Sequence, residues 1–223
     1  MKPTKKQIKI VIIGASGFGR EVLWTLRDCN KKSKKYDILG FVDDNKSLWG
    51  TIIDEIPVLG GLGWLSTKIA KKTQCIVAIG ETRMRKDVVK KLEKKNAIFA
   101  TIIHPSVIHS RFVHIGKGTI IQAGSILTID IRIGDHVHIN IDSTVGHNSV
   151  IADFVTINPG VHVNGNTMIE EGVYVGTGAT LKQKIRIGRW SVIGAGTVLL
   201  DDVPKSSLYV GVPGKLKRTL TTT

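Results

Sequence analysis

The chain of 223 residues has few cysteines, few aromatic residues and no long apolar run. Its two cysteines, Cys29 and Cys75, lack the spacing of a metal site, and we expect both to be reduced thiols. No apolar run reaches the roughly 18 residues that a membrane-spanning helix needs, and the first residues lead straight into a strand without a cleavable apolar segment. These absences predict a soluble cytoplasmic protein with no metal and no membrane partner.

The formal charge of +14 is concentrated in the first half of the chain. Residues 1–105 carry 21 Lys and Arg against 10 Asp and Glu, whereas residues 106–223 carry 11 against 8. Such a basic half could attract nucleic acid or an anionic small ligand. No aromatic residues interleave with the loop-like run Lys31-Lys32-Ser33-Lys34-Lys35, as single-stranded nucleic acid would require. We therefore expect a solvated surface that favours phosphorylated ligands, and no nucleic-acid partner.

Every sixth residue from Ile115 to Leu199 is a branched aliphatic, and each follows a small or β-branched residue by two positions. Neither a helix, with a period near 3.6, nor a strand, with a period of 2, produces a strict six. A fixed short period indicates a solenoid whose repeats bury their apolar residues by stacking. The fifteen hexads predict a triangular prism of five coils. Glycine follows the aliphatic residue in several hexads, where we expect it to supply unusual backbone angles.

The residues before the hexads alternate between strand and helix signals, which predicts a small parallel α/β domain of the Rossmann-like class. The pattern stops at His104-Pro105-Ser106, so we predict three regions: residues 1–105, a solenoid over 106–202, and a capping segment with a frayed tail over 203–223. The predicted elements are strands at Ile8–Ile13, Ile38–Val42, Cys75–Ile79 and Ala97–Ile103, and helices at Glu21–Asp28, Leu65–Lys72 and Arg83–Lys95.

Two turns in this domain carry candidate ligand-binding residues. The glycine-rich stretch after the first strand, residues 14–20, can present backbone N–H groups and a helix N-terminus to a phosphate. Its GxxGxG spacing differs from the dinucleotide pattern, so a conventional NAD site is not expected, and a tight structural turn is the alternative. Asp43 and Asp44 end the second strand, where they could accept hydrogen bonds from a sugar or base, or simply cap a turn.

Several motifs then coincide: GASGFGR, FVDD, AIGETRMR, IHPS, GHN within the hexads, and GVPGK near the end. Together they resemble the sialic-acid O-acetyltransferase-like family of hexapeptide-repeat sugar acyltransferases, most closely its nucleotide-sugar 4-amino N-acetyltransferases. The resemblance covers nearly the whole chain. It implies a left-handed parallel β-helix, a homotrimer, acetyl-CoA bound along the prism between neighbouring subunits, and a nucleotide-sugar held by the N-terminal domain.

The resemblance also implies roles for individual residues. His147 matches the catalytic base, followed by Asn148 where the family usually has Glu or Asp, and Asn140 would lie near the sugar. Thr156 stands where some members carry a second His that contacts acetyl-CoA. The positions that match acetyl-CoA contacts are Gly165, Thr177 and Ala195. Those that match the nucleotide site are Gly14, Ser16, Gly17, Gly19, Asp43, Asp44, Gly80 and Arg85.

The implied reaction is transfer of an acetyl group from acetyl-CoA to the C4 amine of a nucleotide-linked amino-deoxy sugar, a UDP- or dTDP-4-amino-4,6-dideoxyhexose. The amine attacks the thioester directly, with His147 as general base, and no Ser or Cys nucleophile is needed. Two alternatives stay open. One is an O-acetyltransferase that acts on a sialic-acid-like sugar. The other is a non-catalytic nucleotide-binding solenoid, which stays open because Asn148 and Thr156 depart from the family's catalytic pattern.

Overall fold

The computed structural model describes residues 7–67 and 72–221. They form two compact units whose border lies between Pro105 and Ser106, except that Glu81–Arg83 group with the second unit. The first unit is α/β and the second is a parallel β-helix, as the hexad period predicts, of the class that the family resemblance implies to be left-handed. Half of the predicted helix Leu65–Lys72 falls on residues 68–71, which lie outside the described residues.

The first unit is built on a four-stranded sheet in the order β2-β1-β5-β6, with all three pairings parallel. Its inner strand β1 is continuously apolar and buried from Ile10 to Ile13, as is typical of a parallel strand covered on both faces, and Ile10, Val11 and Ile12 are fully buried. The elements are β1 (Ile8–Ile13), α1 (Gly17–Ser33), β2 (Tyr36–Val42), a 3₁₀ turn (Lys46–Leu48), β3 (Ile52–Ile53), β4 (Ile56–Pro57), a 3₁₀ turn (Leu62–Ser66), β5 (Gln74–Val77), α2 (Thr82–Glu93), β6 (Ile98–Phe99) and β7 (Ile102–Ile103).

Two local predictions for this unit were wrong, and one element was not predicted. Helix α1 is longer than Glu21–Asp28 because Cys29 continues its buried stripe, so the first part of the lysine run is helical and Lys34, at φ 44°, ends it. Ala97–Ile103 forms two short strands instead of one. The hairpin β3–β4 was not foreseen, because its turn places Asp54 and Glu55 at positive φ without the Asn or Gly that usually marks such a turn.

The second unit is a stack of two-residue strands, and all of them after the first end in one aliphatic residue of the hexad pattern. All of these residues from Ile121 to Leu199 are at most 4 % exposed, so each contributes on the order of 1.5–3 kcal/mol of apolar burial. One strand precedes the first predicted hexad. The strands are β8 (Ile108–His109), β9 (His114–Ile115), β10 (Ile120–Ile121), β11 (Ile126–Leu127), β12 (Arg132–Ile133), β13 (His138–Ile139), β14 (Thr144–Val145), β15 (Val150–Ile151), β16 (Thr156–Ile157), β17 (His162–Val163), β18 (Met168–Ile169), β19 (Tyr174–Val175), β20 (Thr180–Leu181), β21 (Arg186–Ile187), β22 (Val192–Ile193) and β23 (Val198–Leu199).

Each strand pairs in parallel with the strand three hexads later, for example Ile121 with Ile139, so one coil spans 18 residues. Three faces result. The six-stranded face contains β8, β11, β14, β17, β20 and β23. The five-stranded face contains β9, β12, β15, β18 and β21, and the third face contains β10, β13, β16, β19 and β22.

The glycines that follow the aliphatic residues have a different role from the predicted one. They do not adopt positive φ; instead a Cβ at Gly146 would lie 2.6 Å from the backbone nitrogen of Gly165 in the next coil. The left-handed angles occur two residues further on, for example at Asn148 (φ 59°) and Asn166 (φ 58°). These glycines therefore permit close stacking of coils, while the turn itself tolerates several residue types.

The end of the solenoid is extended by a hairpin of β24 (Ser207–Val210) and β25 (Lys215–Thr219). Strand β24 pairs in parallel with β22 and thus continues the third face, and β25 adds antiparallel to β24. The segment around GVPGK therefore forms the turn of a hairpin that covers a strand edge. The predicted frayed tail is in fact a strand as far as Thr219.

Candidate functional site

A cavity of about 430 Å³ lies at the carboxyl ends of β1, β2 and β5. Crevices at this edge of a parallel sheet are the usual ligand site in doubly wound folds. Of the predicted nucleotide residues, the cavity brings together Gly14, Ser16, Asp43, Asp44 and Gly80. The rest of its wall is formed by Ile13, Val42, Leu62, Ile79, Met84, Val88 and Lys91.

The glycine-rich turn gives this cavity an exposed helix N-terminus. A Cβ at Gly19 would collide with the carbonyl oxygen of Gly14, so Gly19 allows α1 to pack tightly on the turn. Gly17 faces open space, Ser16 makes no side-chain cap bond, and the first turn of α1 contains no acidic residue. The first N–H groups of a helix lack intrahelical acceptors and favour an anion. The turn is thus suited to a phosphate, with Gly19 in a packing role.

Much of the hydrogen-bonding capacity of the two aspartates is used within the chain. Asp43 accepts from the N–H of Ala15 through Oδ2 and from the N–H of Asn45 through Oδ1, both at 2.9 Å. Asp44 accepts from the N–H of Leu62 at 2.9 Å through Oδ1 only. Asp43 therefore stabilises the glycine turn, as the alternative reading of the sequence proposed, while Oδ2 of Asp44 is available to a ligand.

Arg85 does not line the cavity. It is fully buried in α2, and its Nη1 donates to the carbonyl oxygens of Ile79 at 2.8 Å and Gly80 at 3.3 Å. These bonds to backbone carbonyls compensate the cost of burying a guanidinium. Arg85 thus holds the loop after β5 in place. It is not among the residues that line the cavity, where a contact with the nucleotide was predicted.

In the second unit, His147 and Asn148 occupy an exposed turn at the edge between the six-stranded and five-stranded faces, here called the base corner (residues 146–148 and 164–166). His147 Nδ1 lies 2.9 Å from Asn148 Oδ1. A carbonyl oxygen only accepts, so this contact requires a proton on Nδ1 and leaves the lone pair of Nε2 free. In the neutral imidazole this geometry would leave Nε2 as the acceptor nitrogen, which is the arrangement that a general base needs.

Gly165 lies one coil beyond His147, directly beside its ring. A Cβ at position 165 would lie 2.7 Å from Nε2 and 2.8 Å from Cε1 of His147. The absence of a side chain therefore provides the space in which the imidazole sits. This role was missed in the sequence, although the 18-residue coil length places residue 165 under residue 147 and could have revealed it.

Asn140, Thr177 and Ala195 lie on a different edge, between the third and six-stranded faces, here called the amide corner (residues 140–142, 176–178 and 194–196). Asn140 is 7 % exposed, and its Oδ1 is buried without a hydrogen-bond partner among the described residues. Buried polar atoms of this kind call for a ligand, water or neighbouring chain. Within one copy, the six-stranded face separates these residues from His147, so the structure does not bring all predicted solenoid residues together.

Two further properties concern the described part of the chain. Residues 7–67 and 72–221 contain no group of three or more His, Cys, Asp or Glu that could hold a metal ion. No helix in the same ranges has both the length and the apolarity to span a membrane.

Comparison with known proteins identifies relatives for both units. A family model described as the PglD N-terminal domain matches residues 9–92. No curated protein matches the chain significantly. WeeI from Acinetobacter baumannii AYE is 32% identical, with a TM-score of 0.84, over 95% of this chain and 100% of that one.

Two other solved structures are similar over almost their whole length. A histidine-to-asparagine variant of perosamine N-acetyltransferase from Caulobacter crescentus, in complex with CoA and GDP-perosamine, is 28% identical over 94% of this chain and 97% of its own, with a TM-score of 0.87. The acetyltransferase domain of PglB from Neisseria gonorrhoeae FA1090, in complex with acetyl coenzyme A, is 28% identical over 95% of this chain and 100% of its own, with a TM-score of 0.86.

The fold and the two candidate sites define a hexapeptide-repeat transferase with an appended α/β unit. The chain belongs to the sialic-acid O-acetyltransferase-like family of hexapeptide-repeat sugar acyltransferases, in its branch of acetyl-CoA-dependent sugar N-acetyltransferases.

Proposed function

We propose that the protein transfers the acetyl group of acetyl-CoA to the C4 amine of a nucleotide-linked amino sugar, a UDP- or dTDP-4-amino-4,6-dideoxyhexose. The sugar amine attacks the thioester carbonyl and its proton passes to Nε2 of His147. As the C–S bond breaks, the imidazolium returns this proton to the sulfur, so CoA leaves as the thiol and His147 is neutral again. No covalent acyl-enzyme is involved, so one catalytic base suffices.

The observation that carries this proposal is the His147–Asn148 contact of 2.9 Å with Gly165 beside the ring. An ammonium group is not nucleophilic, so the amine must lose a proton before or during attack. A histidine whose Nδ1 proton is held by a neighbour has a defined tautomer with Nε2 as acceptor. Asn148 supplies this orientation without a charge, in contrast to the carboxylate usual in the family.

The solved relatives support the choice of substrates. The perosamine N-acetyltransferase holds CoA together with a nucleotide-linked amino sugar, and the PglB domain holds acetyl coenzyme A. Two solved structures of the perosamine enzyme are variants in which a histidine is replaced by asparagine or alanine. In this chain the cavity around the glycine turn is the candidate nucleotide site, with the first N–H groups of α1 toward a phosphate.

The proposal includes a homotrimer, and the two edges of the six-stranded face support it. The base corner lies on one side of this face and the amide corner on the other. The face itself exposes aliphatic side chains, with Ile108 at 64% and Ile126 at 39%. Packing three such faces around a three-fold axis would cover this apolar surface and set His147 of one copy near Asn140 of its neighbour. We also propose a cytoplasmic location, where Cys29 and Cys75 remain free thiols.

A thiol-release assay with acetyl-CoA tests the function. The acceptors are UDP-, dTDP- and GDP-linked 4-amino sugars together with free sialic acid, and mass spectrometry of the product distinguishes an amide from an ester. We expect turnover with a UDP- or dTDP-linked amino sugar and an amide product. Turnover with the GDP-linked sugar alone would replace the proposed nucleotide, and an ester on the free sugar acid would establish the O-acetyltransferase alternative. Folded protein that binds CoA without turnover on any acceptor would contradict the proposal.

A further inference from the structure

The nucleotide cavity has an unfavourable charge balance for the ligand that the proposed function assigns to it. Two of its lining side chains, Asp43 and Asp44, are carboxylates, and most of the remaining wall is apolar. The diphosphate of a nucleotide-sugar carries two negative charges, which these carboxylates repel. Hydrogen bonds from two backbone N–H groups offset the charge of Asp43, but Asp44 receives only one. A cation in the same wall would correct this balance.

Lys91 is the cationic side chain among the described residues that line the cavity. It lies on one face of α2 with Met84 and Val88, at the spacing i, i+4, i+7 that places residues in one row along a helix. The buried face of α2, which contains Val89 and Leu92, is a separate row. Lys91 makes no ion pair in the described part of the chain, so its ammonium group is available to a ligand.

We propose that Lys91 is a substrate-binding residue that pairs with the diphosphate of the nucleotide-sugar, opposite the N–H groups at the start of α1. This inference rests on the proposed function and adds a contact that the sequence motifs do not indicate. Met84 and Val88 extend the apolar wall beside it for the flat base or the sugar ring. The ammonium group offsets the repulsion from Asp44 and makes affinity depend on the phosphates.

The neighbouring Lys90 provides a control that distinguishes ligand binding by Lys91 from a purely structural role. Lys90 and Lys91 both stand in the last turn of α2, where a positive charge stabilises the helix through its dipole. Both side chains are exposed, and neither forms an ion pair among the described residues. Lys90, however, is not part of the cavity wall. Replacing either lysine by methionine therefore removes the same dipole contribution, while only Lys91→Met removes a cation from the cavity.

The experiment measures binding of UDP, dTDP and GDP, and of the corresponding nucleosides, to the full-length protein by calorimetry. We expect Lys91→Met to raise the Kd for the preferred diphosphate by about tenfold or more, since a charge-assisted contact is lost. The Kd for the nucleoside should stay within about twofold, Lys90→Met should bind like the unmodified protein, and Lys91→Arg should restore most of the affinity. The difference between the two methionine variants should shrink at high salt.

Each other outcome overturns the inference in a recognisable way. Equal Kd values for Lys91→Met and Lys90→Met would remove Lys91 from the site while leaving the nucleotide cavity intact. An equal loss for nucleoside and diphosphate would mean that Lys91 contacts the base or shapes the cavity. If the unmodified protein binds none of the three diphosphates, the nucleotide part of the proposed function fails and the role of Lys91 fails with it.

Discussion

The α/β unit and the solenoid distribute folding and function over their residues in different ways. In the solenoid, the aliphatic residues inside the prism hold the fold, whereas His147 and Asn148 stand in an exposed turn. In the α/β unit, one residue serves both purposes: Asp43 lines the cavity and also fixes the glycine turn through two backbone bonds. Substitutions in the solenoid turns should therefore separate activity from stability, and substitutions around the cavity should not.

Two glycines of adjacent coils give the sharpest test of this separation. In Gly165→Ala the new Cβ would meet the imidazole, at 2.7 Å from Nε2, and the ring is the movable end of a side chain. We expect the fold to remain intact and kcat to fall by roughly 10²-fold, because a base displaced by about 1 Å loses its alignment. Steady-state kinetics and thermal unfolding of the same sample measure both effects.

Gly146→Ala is the matched change, and here we expect a loss of stability instead of a displaced imidazole. Its Cβ would lie 2.6 Å from the backbone nitrogen of Gly165, which cannot move without shifting a coil. We expect the free energy of unfolding to fall by about 1–3 kcal/mol. If both variants lost activity and stability together, the turn would be as integral to the fold as the aliphatic interior.

In the α/β unit, Asp43→Ala should reduce both stability and nucleotide binding. It leaves the N–H groups of Ala15 and Asn45 without their acceptors, at a cost of about 1–3 kcal/mol in the free energy of unfolding. Because the same bonds shape the glycine turn, the Kd for a nucleoside diphosphate should rise as well. Asp37→Ala, in the strand β2 that precedes Asp43, serves as the control and should change stability by less than about 0.5 kcal/mol. Unchanged stability with lost binding would make Asp43 a dedicated ligand residue.

Asn148→Asp tests how the neutral partner tunes the base. A carboxylate beside Nδ1 favours the protonated imidazole, which cannot accept the amine proton. The acid limb of the pH profile of kcat should therefore move to higher pH, by roughly one unit. Asn166→Asp, which adds a carboxylate at the equivalent left-handed position one coil later (φ 58°) but not in contact with Nδ1, should move the limb by clearly less. A profile that stays fixed in Asn148→Asp would show that the side chain of residue 148 does not act through His147.

The smallest expected effect concerns an ion pair at a solenoid turn away from the base corner. The backbone N–H of Arg189 donates at 2.9 Å to Oε2 of Glu170, and Arg186 donates to Oε1, which together hold the pKa of Glu170 below its usual value. A lowered carboxyl pKa stabilises the fold above the unfolded pKa, and this contribution disappears as the pH falls through the folded pKa. Glu170→Gln should thus cost about 1 kcal/mol or less at pH 7 and nothing at strongly acidic pH in urea unfolding. An equal cost at both pH values would point to packing.

The sequence was most informative where one physical requirement repeats. The hexad period predicted the strands from β9 to β23 because burial at every sixth residue leaves no other register. The hexad period did not predict which residues occupy the turns between strands, since any residue that tolerates a left-handed backbone angle can stand there. The contact between His147 and Asn148 is visible in the sequence only as two neighbouring letters.

In the α/β unit most of the motif residues line one cavity, but Arg85 is not among its lining residues. Arg85 was expected at the ligand because it matches the family's nucleotide motif, whereas in the structure its guanidinium is buried and donates to backbone carbonyls. Lys91 was overlooked because the helix was predicted from its apolar, buried face, whereas Lys91 lies on the face of α2 that lines the cavity. Which row of α2 faces a cavity depends on how the helix packs on the sheet, and this long-range property is not encoded in local spacing.

The central claim, that His147 is the base of a sugar N-acetyltransferase, is tested most directly by His147→Ala in single-turnover acetyl transfer at saturating substrates. His109→Ala, which replaces another exposed histidine of the solenoid, is the control. We predict that the rate falls by 10²–10⁴-fold in His147→Ala, with unchanged folding and CoA binding, and stays constant in His109→Ala. An unchanged rate in His147→Ala would contradict the account.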